Sequence, residues 1–262
     1  MARPILVAAA VAVCLALCCT AFAQCPTDDG AIIARYQLDE LEGLVAHDDV
    51  GGHDGTLVNG PVWDPDGGDL CGGGALLLDG LDDYVDLPTG AWDDFGPDES
   101  FCVSCCFCAP AVLPGQPHII GRYHPSYDGG MMSILYGVDF ETGPDYPGHV
   151  AFSFRTDHGG AATYVVSTEV YAPGVWHSVC AVRDRTNDEF RLYVDGELAA
   201  PPHPDTFPGD QGLTQSHFVI GRCGESGQGY FEGEVDRVVI WRGLGPCPAE
   251  PASWGAVKAL YR

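Results

Sequence analysis

The sequence predicts an all-β protein, an antiparallel β-sandwich. Three observations lead there: apolar residues recur with a period of two along most of the chain, turn residues punctuate those runs, and 35 glycines and 20 prolines leave little room for helices. With 262 residues and 46% hydrophobic content, the chain can bury a substantial core. Only 12 lysines and arginines stand against 37 aspartates and glutamates, a formal charge of -25. A surface of that sign repels phosphate backbones and excludes nucleic acid as a partner.

The elements follow in chain order. Arg3, the apolar run Ile5 to Leu17 and the small-x-small triplet Ala21-Phe22-Ala23 read as a signal peptide over residues 1–23. Cleavage after Ala23 predicts a secreted chain, extracellular or periplasmic, forming a single domain over residues 24–262. No run approaches the roughly 20 apolar residues that cross a bilayer, so membrane insertion is not expected. Removing Arg3 leaves 11 basic residues against 37 acidic, and 11 minus 37 is -26. Such a surface suits divalent cations, a salty medium, or simple solvation.

From Ala31 onward, Ile32, Ala34, Tyr36 and Leu38 share one face while Arg35, Gln37 and Asp39 share the other, as in a half-buried strand. Similar runs follow at 74–78, 84–87, 101–107, 118–121, 132–138, 149–155, 163–167, 175–182, 190–194, 217–220 and 229–241. The clearest hairpin is Arg191 to Val194, Asp195-Gly196, then Glu197-Leu198, because Asp-Gly accepts the positive φ angles of a tight turn. Ala252 to Tyr261 predicts one short terminal helix.

Cleavage of the signal leaves nine cysteines: Cys25, Cys71, Cys102, Cys105, Cys106, Cys108, Cys180, Cys223 and Cys247. An exported chain with that many thiols is expected to hold disulfides or buried structural cysteines, with the pairing undetermined. Nine is odd, which allows a disulfide-linked dimer. The C-x-x-C from Cys102 to Cys105 lacks the second pair of a zinc ribbon and lies in a strand pattern rather than opening a helix.

Several segments then fall in a recognisable order. Tyr36-Gln37-Leu38-Asp39-Glu40, Ala75 to Val85 with its Leu78-Asp79-Gly80-Leu81-Asp82-Asp83-Tyr84 centre, and Trp176 to Val182 are three of them. Leu192-Tyr193-Val194-Asp195-Gly196, Phe231 to Asp236, Trp241 to Leu244 and Ala259-Leu260-Tyr261 complete the series. In this combination the chain resembles a laminin-G-like, concanavalin-A-like jelly-roll domain over Ala31 to Tyr261. The resemblance implies two stacked sheets, one often concave, and commonly a structural calcium ion. It implies no single function, since such domains bind glycans, bind proteins or accompany secreted enzymes. Cys106, where the family usually has tryptophan, and Cys180, where it has a small apolar residue, depart from the pattern.

Two candidate sites follow. By strict alternation Asp236 shares a face with Val238 and Ile240, and a carboxylate beside a core must find a cation or hydrogen-bond donors. In the family the strand carrying Asp39 lies close to the last strand, so Asp39 and Asp236 with backbone carbonyls form the calcium candidate. Turn amides or an arginine are the alternative partners of Asp236. Asp64 to Asp69 lacks the glutamate of a helix-loop-helix calcium loop, position 75 being Ala75, and reads as an acidic turn, as does Asp79 to Asp83. For ligand binding, Arg122, Tyr123, His124 and Tyr127 with Arg155, Asp157 and His158 cluster at strand ends, where aromatic rings and hydrogen-bonding groups suit a glycan.

Enzyme signatures are missing. Glu234-Val235-Asp236 begins a glucanase-like E-x-D-x-x-E strand, but Val239 replaces the last carboxylate. Cys223-Gly224-Glu225-Ser226-Gly227 has no partner histidine in a protease motif, and His177 on its strand reads as a packing residue. The sequence therefore predicts a secreted, non-catalytic binding or adhesion module for a glycan or extracellular protein. A disulfide-held structural envelope or matrix protein is the alternative, and a glycan-degrading enzyme comes third.

Overall fold

The computed structural model describes residues 32–68, 73–123, 130–139, 145–155, 162–207, 212–214, 216–224 and 228–245. The first strands are β1 (Ile32–Tyr36), β2 (Val45–Ala46), β3 (Gly55–Val58), β4 (Val62–Asp64), β5 (Ala75–Asp79) and β6 (Tyr84–Asp86). Next come β7 (Phe101–Cys108), β8 (His118–Arg122), β9 (Met131–Val138), β10 (Tyr146–Arg155), β11 (Thr163–Val166) and β12 (His177–Asp184). The last are β13 (Glu189–Val194), β14 (Glu197–Leu198), β15 (His203–Pro204), β16 (Phe218–Ile220) and β17 (Glu232–Arg242). Apart from a 3-10 turn at Ala91–Asp93, the described regular structure is all strand. The predicted terminal helix lies outside the described residues.

The strands form two antiparallel sheets. Sheet A runs β14-β13-β12-β7-β17-β5-β4, with β1 also on β17 and β15 on β13. Sheet B runs β11-β10-β9-β8-β16-β6-β3-β2. Period-two alternation turns Phe101, Val103, Cys105 and Phe107 of β7 toward Met132, Ile134 and Tyr136 of β9 and Phe152 and Phe154 of β10. Phe101 sits 5.0 Å from Phe95, and Phe154 4.9 Å from Phe190, in tilted ring pairs. Such pairs contribute about 0.5–1.5 kcal/mol each beyond their buried area. The predicted hairpin is present: Tyr193 pairs with Leu198, and Asp195 and Gly196 both take positive φ, 51° and 79°. His177 packs as expected, its Nδ1 2.8 Å from the Asp195 carboxylate, whose other oxygen accepts the Ser178 N–H.

Two expectations are corrected. Asp236 does not share a face with Val238 and Ile240, because the register on β7 slips between Asp236 and Val239, and Arg237 takes φ 51°. This bulge inserts one residue, so Val235, Val238 and Ile240 all reach the core while Asp236 points outward beside Cys106. The second correction concerns the cysteines. Cys105 and Cys108 are thiols, with Cys105 in the core. A strand sends Cys105 and Cys106 to opposite faces and separates residues two apart by roughly 7 Å, beyond disulfide reach. Cys180 is disulfide-bonded, and the Cys102 sulfur lies 3.0 Å from its Sγ. Cys25, Cys71 and Cys247 lie outside the described residues. So does the signal segment, and no described helix is long and apolar enough to cross a membrane.

Candidate ligand-binding face

The register of sheet B decides which side chains its outer face presents. One row crosses it from Asp86 on β6 through Val219, Gly121, Ser133 and Ser153 to Tyr164 on β11. Alternation then puts Tyr123 on the same face as Gly121, Arg155 on that of Ser153, and Tyr84 on that of Asp86, while the register shift between His118 and Ile120 brings His118 to this face opposite Leu135. Gly121 is required here, because a Cβ would lie 2.6 Å from the Arg222 carbonyl oxygen. The segment 222–224 thus passes directly over the sheet at this row, and any side chain would push backbone.

This face mixes polar groups with an apolar cluster of Leu135, Val138 and Ala151, against which Tyr164 packs. The Ser133 and Ser153 hydroxyls, on residues 0% and 1% exposed, have no partner among the described residues. His118 Nδ1, Arg155 Nε and Arg222 Nε are likewise buried and unmatched. Each such group costs about 1–3 kcal/mol until a ligand or water meets it. Burial pushes the His118 imidazole down to about 3, so it is neutral at physiological pH. Burial raises the Tyr164 phenol, with Arg155 pulling the other way, so Tyr164 keeps its proton and remains a donor.

Of the residues singled out in sequence, Tyr123 and Arg155 come together, the guanidinium 5.4 Å from the ring centre. Arg122 belongs elsewhere: alternation turns it inward, and it is fully buried. Its Nη1 donates to the Asp93 and Leu213 carbonyls and its Nη2 to the Asp94 carboxylate and Ser216 carbonyl, all at 2.8 Å. Arg122 holds the fold and is withdrawn as a ligand residue. His124, Tyr127, Asp157 and His158 lie outside the described residues. Sequence reading missed Tyr84, Tyr164, Arg222, Ser133 and Ser153. The signal was present for the serines, each a polar residue set at the outward position of an otherwise apolar strand.

The calcium candidate sits on the other sheet, at a seam. β17 pairs with β5 through Val235 and with β1 from Val238, so Asp236 stands where its neighbour changes. Asp236 is 1% exposed, with the Arg237 Nε at 3.9 Å. Asp39 leaves β1 after Leu38, whose φ is 55°, and its Cα lies 3.6 Å from the direction a side chain on Gly74 would take. The Asp64 carbonyl oxygen lies 3.1 Å from the same point. Chain topology therefore places Asp39 and Asp236 along the same seam between β1, β5 and β17. Among the described residues, the trio with ligand atoms within 4.8 Å of one another is instead Asp79, Asp82 and Asp83. That trio is a turn, as expected: Asp79 Oδ1 accepts the N–H groups of Leu81, Asp82 and Asp83, which holds its carboxyl below the usual range.

Known proteins agree with this architecture. A laminin G family model, described as the concanavalin A-like lectin/glucanases superfamily, matches residues 79–244. The chain belongs to this superfamily. No curated protein matches it in sequence. Among solved structures, this laminin-G-like chain is similar to domain 4 of AbnA, a GH43 extracellular arabinanase from Geobacillus stearothermophilus, in complex with arabinotriose. That match has a TM-score of 0.58 at 17% identity and covers 82% of this chain and 94% of the other. The binding domain of Paraclostridial Mosquitocidal Protein 1 has a TM-score of 0.61 at 11% identity over 88% of this chain, which spans 52% of that one. Trypanosoma rangeli sialidase with the inhibitor DANA scores 0.58 at 14% identity, over 93% of this chain and 33% of the sialidase. At these identities the likeness establishes the laminin-G-like fold alone.

Proposed function

We propose that the protein is a secreted, non-catalytic module that binds an oligosaccharide on the outer face of sheet B. The observation carrying this reading is the row of Ser133 and Ser153 hydroxyls left without partners among the described residues, beside the ring and hydroxyl of Tyr164. Sugars need both parts: rings to stack on C–H faces and fixed polar groups to meet hydroxyls. The arabinotriose complex of a similarly folded domain supports the ligand class. Absence of catalysis rests on carboxylate placement. Most glycosidases set two acids across one substrate, whereas among the described residues of the row on this face Asp86 is the one carboxylate, engaged by His217 at 2.8 Å. Glu234 and Asp236 belong to the other sheet.

A glycan array probed with the mature protein tests the reading. We expect a discrete set of hits, each weakened about tenfold or more by Tyr164→Ala in a variant that unfolds at an unchanged temperature. An empty array, or hits indifferent to Tyr164, would overturn it.

We further propose that calcium braces the seam between β1, β5 and β17 through Asp39, Asp236 and neighbouring carbonyls, offsetting the burial of Asp236. Calorimetric titration of the chelated protein is expected to show one calcium site, lost in Asp236→Asn. No heat of binding would remove calcium from the account.

A further inference from the structure

Arginine placement on the same face specifies the ligand more closely. Every other described arginine reaches a carboxylate within ion-pair distance. Arg155 and Arg222 reach none among the described residues, in a chain where 37 acidic residues compete for 12 basic ones. Arg155 lies over the Tyr123 ring, near the Tyr164 phenol and 3.8 Å from the Met131 sulfur, and Arg222 lies over the Tyr84 ring at 3.6 Å. Both keep a buried Nε–H without a partner. Stacking on tyrosine fixes the plane of a guanidinium without using its N–H donors, and that planar fork matches carboxylate or sulfate oxygens two at a time.

The two forks stand at opposite corners of the face. Tyr84 lies two residues before the Asp86 row and Arg155 two residues beyond it, about 13 Å apart along the strands, with three strands between them. Ser133 and Ser153 lie on the row between. We infer that the ligand is an acidic oligosaccharide, carrying carboxylate or sulfate groups that Arg155 and Arg222 receive on separate sugar units. This rests on the oligosaccharide reading above. The overall negative field of the protein disfavours dense polyanions, so the fitting ligand carries isolated charges on a largely neutral chain.

The test is an array pairing uronate-, sialate- and sulfate-bearing oligosaccharides with their esterified or desulfated counterparts, followed by calorimetry on the best acidic hit. The acidic member of a pair is expected to bind about tenfold or more tightly, and Arg155→Met and Arg222→Met each to cost about tenfold or more. Sites this far apart should lose affinity additively in the double variant. Arg155→Lys, which keeps the charge without the fork, should recover part of the loss, and thermal unfolding verifies that each variant folds. Preference among the acidic groups separates carboxylate from sulfate. Hits confined to neutral glycans, or acidic hits unchanged by both arginine variants, overturn this inference and leave the oligosaccharide reading standing. An array with no hits overturns both.

Discussion

Replacing Arg122 with methionine is expected to destabilise the protein by about 3–5 kcal/mol, read as a fall in urea midpoint at pH 7. The guanidinium ties β8 to the loop carrying Asp93 and Asp94 and to the carbonyls of Leu213 and Ser216. Removing it orphans those carbonyls and leaves Asp93, 0% exposed, without the charge beside it. Burial already raises the Asp93 carboxyl to about 6, and Arg122 restrains that rise. Without Arg122 it climbs further. A carboxyl raised in the folded state favours folding below its unfolded pKa near 3.8, and that contribution disappears as pH rises through the folded value. The variant should therefore lose less stability at pH 4.5 than at pH 7. A double variant, Arg122→Met with Asp93→Leu, should recover much of the loss, because replacing both partners removes the uncompensated charge. An unchanged midpoint in the single variant, or equal losses at both pH values, would contradict this account.

Acid sensitivity through His118 is the second large effect. Its folded pKa of about 3 lies well below the 6.5 of an exposed imidazole, so below pH 6.5 the unfolded chain takes up a proton that the folded protein refuses. The stability this neutral histidine provides is complete above pH 6.5 and is lost as pH falls toward 3. By pH 5 the loss amounts to about 2 kcal/mol. Asp93 opposes it over part of that window, so the His118 share must be isolated by substitution. His118→Gln, which cannot charge, should flatten the fall in stability between pH 6.5 and 5 relative to wild type. Parallel pH profiles for the two proteins would show that His118 opens to solvent before it titrates.

Much of the fold is legible along the chain because strands record their burial as alternation. The Arg191 to Leu198 hairpin needs only local chemistry, Asp195-Gly196 accepting positive φ wherever the rest of the chain lies. Strands β2, β3 and β4 escape the sequence reading, being two to four residues long and too short to display a period. At Asp236 alternation misleads, since a bulge one residue long reverses the face of everything before it.

Local pattern was enough for the all-β class and the tight hairpin, and it named Tyr123 and Arg155 among the candidates at strand ends without pairing them. Tertiary structure decided the rest of the site. Adjacent residues at the end of β8 part company, Arg122 into the core and Tyr123, just beyond the strand, onto the ligand face, and Arg222 joins that face only because Gly121 lets its backbone cross the sheet. Whether an arginine is neutralised depends on which of 37 carboxylates the fold brings beside it, a long-range fact that no local pattern records. The reason is geometric: alternation reports which side a residue faces, but only the register between distant strands decides what it meets there.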